Sequence, residues 1–132
     1  MTEISIYNKQ ASIYISPHFN LKEFACKCDF EECKVVLFCQ KVAEILEKLR
    51  DRLNKPILIT SGYRCPRYNQ QVGGAPESTH ITGYGVDIFV PDIKLEKLAH
   101  HARSLGFLGI GIYKSHIHVD IYKDRQWTSD KA

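Results

Sequence analysis

From Val35 to Leu53 the apolar residues recur as Val35, Phe38, Val42, Ile45, Leu46, Leu49 and Leu53, the three-to-four spacing of one helical face. Glu44, Glu47, Lys48, Arg50 and Asp51 fall on the outer side. The spacing predicts an amphipathic helix of about five turns, stopped by Asn54-Lys55-Pro56. A second stripe, Leu95, Leu98, Ala99, Ala102 and Leu105, predicts another helix, capped by Asp92 and stopped by Gly106. Between them, Ile57-Leu58-Ile59-Thr60 reads as a short buried strand. Gly109 to Tyr113 and Ile117 to Tyr122 alternate apolar with polar or glycine and predict a hairpin turning at Lys114-Ser115. Weaker signals fill the rest. Alternation over residues 1–16 (Ile4, Ile6, Ile13, Ile15) predicts a strand or ordered arm. Asn20-Leu21-Lys22-Glu23 has the form of a capping box opening a short helix, with Leu21 and Phe24 inward. Pro66 suits the first turn of a brief helix through Gln71, ended by Gly73-Gly74. A hairpin is expected over about 78–90, and residues 123–132 are polar enough to be a flexible tail. No repeat, linker or low-complexity tract divides the chain. The expectation is one α+β domain over 1–132, a small antiparallel sheet flanked by helices.

Composition changes this picture little. A chain of 132 residues, 44% hydrophobic and 25% charged, is long enough to bury a core. The net charge of +3 favours an anionic matrix such as a cell wall but is too small to argue for nucleic acid, and no basic cluster interleaved with aromatics is present. Met1-Thr2-Glu3-Ile4-Ser5-Ile6-Tyr7 has neither a basic nor an apolar signal region, so no signal peptide is expected. No apolar run approaches the roughly 20 residues of a membrane span. Synthesis in the cytoplasm, no membrane insertion and a monomeric state are therefore expected. Cys26, Cys28, Cys33, Cys39 and Cys65 make an odd count. They read as reduced thiols, with a disulfide, or a structural metal site using Cys26, Cys28 and Cys65, as the alternatives.

The chemistry concentrates in two segments. Ser78-Thr79-His80 to Asp87 places an imidazole and a carboxylate seven residues apart around a glycine-bearing bend. If that bend joins short extended arms, both side chains can point into one cleft. His116-Ile117-His118-Val119-Asp120 alternates strictly, so on a strand its three polar side chains share one face. A polar triplet backed by aliphatic residues is hard to explain by packing. His80, Asp87 and His118 form the ligand set expected of a catalytic zinc, two imidazoles and a carboxylate with an open fourth position. Asp87 adjoins Ile88-Phe89-Val90, where an unpaired carboxylate would be costly and a cation relieves the cost. His116 is the first candidate for a base or an oxyanion donor. Asp120 is the alternative base, or an acceptor fixing a histidine tautomer. Arg64, in a glycine-containing loop after a strand, can grip a carboxylate or oxyanion with two donors. Ser78 and Tyr113 are lesser candidates for substrate contact. His100 and His101 point to different helix faces and read as surface histidines.

Ser78-x-His80-x-x-Gly83-x-x-x-Asp87 followed by His118 resembles the zinc D-Ala-D-Ala carboxypeptidases and L-Ala-D-Glu endolysins of peptidase family M15. The resemblance extends upstream through Thr60-Ser61-Gly62-Tyr63-Arg64-Cys65-Pro66, Asn69 and Val72-Gly73-Gly74-Ala75-Pro76, and covers about residues 20–122. It implies a fold shared with the Hedgehog signalling domain, a Zn²⁺ cofactor, and hydrolysis of peptidoglycan stem peptides by a D,D-carboxypeptidase or L,D-endopeptidase. It also implies release to the wall in the manner of a phage lysin. Val86 stands where the family usually has Ala. Several members carry an acidic base three residues before the last ligand, and Ser115 stands there. That substitution keeps open a zinc-containing domain that only binds cell-wall peptide or a protein partner.

Overall fold

A computed structural model describes residues 3–132. Met1 and Thr2, the first residues of the expected arm, lie outside the described residues. The arm contains strand β1 (Ile4–Asn8) and, further on, β2 (Tyr14–Ser16), which pairs with the short β3 (Phe19–Asn20). The capping box forms as expected. Asn20 accepts from the Lys22 amide, Glu23 accepts from the Asn20 amide, and a 3-10 turn over Leu21–Phe24 buries Leu21 and Phe24.

The first long helix is shorter than its apolar stripe predicts. Val35–Cys39 is strand β4, antiparallel to β1, and helix α1 spans Gln40–Leu53. Val36 and Phe38 point into the core, whereas Val35 is 40% exposed. The run Val35-Val36-Leu37-Phe38 is β-branched or aromatic at three of four positions, and with β1 available the strand wins over helical continuation. Asn54, in the left-handed conformation with φ 52°, ends α1. Strand β5 (Leu58–Ser61), helix α2 (Pro66–Gln71), the single-turn helix α3 (Thr79–Thr82) and strand β6 (Gly85–Phe89) follow. His80 therefore sits on a helical turn capped by Ser78, and not on an extended hairpin arm. Helix α4 (Leu95–Leu105) begins after Lys94, and Asp92 instead takes φ 69° in the preceding turn without capping the helix.

Strands β7 (Gly109–Ile112) and β8 (Ile117–Asp120) form the expected hairpin. Arg125–Thr128, placed in a flexible tail by its polarity, forms strand β9 parallel to β7. Trp127 explains the difference. Its ring packs 5.6 Å from that of His118, its Nε1–H donates to the Tyr113 hydroxyl at 3.2 Å, and the Arg125 guanidinium lies 4.6 Å above it. The main sheet runs β5-β6-β8-β7-β9. One face carries Val86, Ile88, Ile110, Ile117 and Val119 into a core shared with Leu46, Leu49, Leu98 and Ala102. Helix α4 packs on β7 and β8, and α1 packs on α4. The other face carries the chemistry. The architecture is α+β, and no helix among the described residues is long and apolar enough to cross a membrane.

Candidate functional site

Strands β6 and β8 are antiparallel and pair Asp87 with His118. Directly opposed residues project to the same face of a sheet, so register alone brings these two side chains together. Gly85 and Gly109 flank Asp120 in the same register. A Cβ on Gly109 would collide with the Asp120 carboxylate, so that glycine makes room for a charged group inside the sheet. His80 arrives from α3, whose turn is held by the Ser78 hydroxyl accepting the His80 amide at 3.1 Å.

The three candidate ligands are buried, His80 4%, Asp87 5% and His118 6% exposed. His80 Nε2 lies 3.0 Å from Asp87 Oδ1, His118 Nδ1 lies 3.0 Å from the same oxygen, and the two nitrogens are 3.3 Å apart. The outer nitrogens fix the tautomers. His80 Nδ1 is 2.7 Å from the Gly62 carbonyl, which can only accept, so Nδ1 carries the proton. His118 Nε2 is 2.9 Å from Asp120 Oδ2 and likewise donates outward. In neutral rings the inward nitrogens are then bare lone pairs facing a carboxylate oxygen. Three acceptors at this range repel one another unless a cation lies among them. Tetrahedral Zn²⁺ with metal–nitrogen bonds of about 2.05 Å separates its donors by about 3.3 Å, so the donor set and spacing fit that ion. Burial works to raise the Asp87 carboxyl, but His118 and His80 outweigh it and hold it well below the usual carboxylate range. Burial works to lower His118, and its bonds to Asp120 and Asp87 raise it above its ordinary value.

The remaining candidates divide. His116 reaches the site, its Nε2 3.5 Å from Asp87 Oδ2. Its ring stacks on Tyr113 at 4.7 Å and 8°, and its Nδ1 lies 3.1 Å from the Ser115 hydroxyl. Burial pushes its pKa down, Asp87 offsets part of this, and the positive charges of His118, His80 and Arg64 add to the lowering. The shift favours the neutral ring, the form that can accept a proton. Asp120 is fully buried beneath His118 and also accepts the Tyr122 and Lys123 amides. Of its two sequence-derived roles the geometry supports the acceptor that fixes a histidine tautomer. Arg64 comes to the centre, donating to Asp87 Oδ2 at 3.5 Å, to Ser61 Oγ at 3.2 Å and to Asn69 Oδ1 at 3.2 Å. Ser78 serves as the cap of α3, and Tyr113 touches the site through His116. His100 and His101 lie together on α4.

Two contributors escape a reading of the sequence. Thr79 Oγ1 lies 3.1 Å from His118 Nε2; its place beside His80 in the motif was the only signal. Trp127 packs against His118 from a segment whose polarity hides it.

The sequence profile of Peptidase M15 matches residues 17–120. The chain belongs to peptidase family M15. The M15 chain is also 35% identical over 81 residues, 58% of its own length, to the zinc D-Ala-D-Ala carboxypeptidase of Streptomyces albus G. It spans about a third of that relative's length, the match covering 32% of it.

Proposed function

We propose that this M15 chain is a zinc-dependent peptidase that hydrolyses a peptide bond in peptidoglycan stem peptides, as a D,D-carboxypeptidase or an L,D-endopeptidase. The single observation that carries the reading is the trio of buried acceptors, His80 Nε2, Asp87 Oδ1 and His118 Nδ1, turned on one another within 3.3 Å. The named relative supplies the substrate class.

His80, Asp87 and His118 would hold Zn²⁺, which supplies a Lewis acid for the scissile carbonyl and brings water into nucleophilic form near neutral pH. Asp120 and the Gly62 carbonyl hold the two rings in the tautomer that presents a lone pair inward. His116 turns Nε2 toward Asp87 Oδ2 at 3.5 Å and shares a hydrogen bond through Nδ1 with the Ser115 hydroxyl. It is the group that takes a proton from water and returns it to the leaving amine. Ser115, standing where several members carry an acid, acts through this hydrogen bond on His116. Arg64 fixes the orientation of Asp87 and keeps further N–H donors for substrate oxygen.

Purified chain incubated with defined muropeptides, with and without chelator, and read by mass spectrometry tests the reading. Cleavage that chelator abolishes and zinc restores is the expected result. Intact muropeptides in the presence of bound zinc would overturn it and favour the wall-binding domain that Ser115 keeps in play. Amidating the terminal carboxylate separates the two enzyme types: a carboxypeptidase loses activity, an endopeptidase cutting inside the stem does not.

A further inference from the structure

Away from the sheet site, four of the five cysteines converge. The sulfurs of Cys26, Cys28, Cys33 and Cys65 all lie within 4.8 Å of one another. Cys65 Sγ is 3.8 Å from Cys26 Sγ and 3.9 Å from Cys28 Sγ. Zn–S bonds of about 2.3 Å in a tetrahedron put sulfurs about 3.8 Å apart. The same distances are far outside the roughly 2.05 Å of a disulfide, and all five cysteines are free thiols. Cys39, buried in the core, lies outside the cluster.

N–H donors point at the sulfurs. The Cys65 amide donates to Cys26 Sγ at 3.3 Å, and the Tyr68 amide to Cys65 Sγ at 3.4 Å. Lys9, on the turn after β1, places its ammonium 3.3 Å from Cys28 Sγ and 3.5 Å from Cys33 Sγ, and also donates to the Cys28 carbonyl. A divalent ion bound by four thiolates leaves an excess of two negative charges, and an adjacent ammonium offsets part of it. The cation approaches two of the four sulfurs while the other two receive backbone N–H groups. A cavity of about 320 Å³ lined by Cys33, Tyr63, Cys65 and Arg67 opens beside it and gives an ion a way in.

We propose that Cys26, Cys28, Cys33 and Cys65 form a second, structural metal site, closed and tetrahedral, that takes Zn²⁺. Thiolate ligands select a soft ion, and four of them leave no open position for chemistry. Binding releases the thiol protons to solvent and ties three separate segments together: the loop after Phe24, the turn at Cys33, and the start of α2. Among the described residues 25–34 no helix or strand is formed. Beyond the buried Cys26, the loop is tied by side chains at its surface, Arg67 stacking 3.8 Å over the Phe30 ring and pairing with Glu32 at 2.6 Å, and Lys9 and Lys27 bonding to backbone carbonyls. Exposed contacts of that kind contribute little. The ion is what fixes the loop, and with it Cys65, the neighbour of Arg64.

Zinc content of the full chain, prepared in reductant with zinc and then freed of excess, tests the site. Cys28→Ser with Cys33→Ser should lower the content by one ion per chain, and His80→Ala should lower it by one ion independently. Cys39→Ala should leave it unchanged. If the cysteine variants fail to fold, cobalt(II) added to the wild-type chain still decides the matter. Intense thiolate-to-metal absorption in the near ultraviolet, retained in His80→Ala, is expected. Wild-type zinc content in the cysteine double variant, or cobalt spectra without thiolate absorption, overturns the proposal. So does a titration of the denatured chain, with reductant removed, that finds cysteines paired as disulfides. Loss of zinc in His80→Ala alone bears on the sheet site and leaves this one standing.

Discussion

The two clusters of metal-binding groups are built on opposite principles. Asp87 and His118 are opposed in the register of β6 and β8, and in a close-packed interior His118 is backed by Thr79 and Asp120 and His80 by the Gly62 carbonyl. The backbone ladder holds them in place whether or not an ion is bound. The four sulfurs hang on an irregular loop, a turn and the residue before a short helix. There the ion replaces the secondary structure that the loop lacks. The first arrangement suits a site that must present a fixed geometry and keep a position open for substrate. The second suits a clamp whose ion is part of the fold. Arg64-Cys65 joins them, one residue serving each.

The largest effect is expected where the sheet site meets the turn outside it. His116 lies just before β8, so its ring is placed by Tyr113 and Ser115 and not by the ladder. His116→Ala should lower turnover about 10²- to 10⁴-fold while both zinc ions remain. Steady-state rates on muropeptides and elemental analysis of the same sample measure the two quantities. A fully active variant moves the proton-transfer role to water alone, and loss of zinc would make His116 a ligand.

What the sequence revealed of this comparison depended on how local each signal is. The alternation of His118 and Asp120 is a property of one strand, and the face it assigns them is the one observed, whereas His116 falls just before that strand. Val35–Cys39 was hidden because Val35, Phe38 and Val42 satisfy a helical period, and only pairing with Ile4–Asn8 decides for a strand. β9 was hidden because Arg125, Gln126 and Thr128 are polar; an edge strand on a protein edge needs only Trp127 to anchor it. The sheet site was legible because two of its candidate ligands sit in one short motif and the third in an alternating strand. The sulfur cluster draws on three segments, so spacing offered Cys26, Cys28 and Cys65 as one alternative among three and left Cys33 out.

A methyl group probes how closely the sheet site is packed. A Cβ on Gly85 would lie 2.8 Å from His118 Cε1 and collide with the Thr79 hydroxyl, and neither neighbour can retreat without disturbing a bond to the ring. Gly85→Ala should weaken zinc binding at the sheet site by roughly 10- to 100-fold, the scale for disturbing groups that orient a ligand. The sulfur site should keep its ion. Competition with a chelator of known affinity reads both. Equal weakening at both sites would mean that the ladder and the loop are one cooperative unit, and the contrast between them would fall.

The smallest effect is expected at the residue between the clusters. Arg64 donates to Ser61, Asn69 and Asp87 at once, a planar fork that the single ammonium of lysine cannot reproduce. Charge is kept in Arg64→Lys, so the loss is one of geometry. A hydrogen bond to a charged group contributes about 1.5–3 kcal/mol, and the contact with Asp87 is long at 3.5 Å, which puts the expected loss near the lower figure. Hydrolysis should fall about tenfold with both ions in place. If the grip on Asp87 is what matters, the loss follows for every substrate. If the free N–H donors hold the substrate's terminal carboxylate, the loss disappears when that carboxylate is amidated. Wild-type rates with both substrates would reduce Arg64 to a brace for Ser61 and Asn69, and the link between the two clusters would then be structural only.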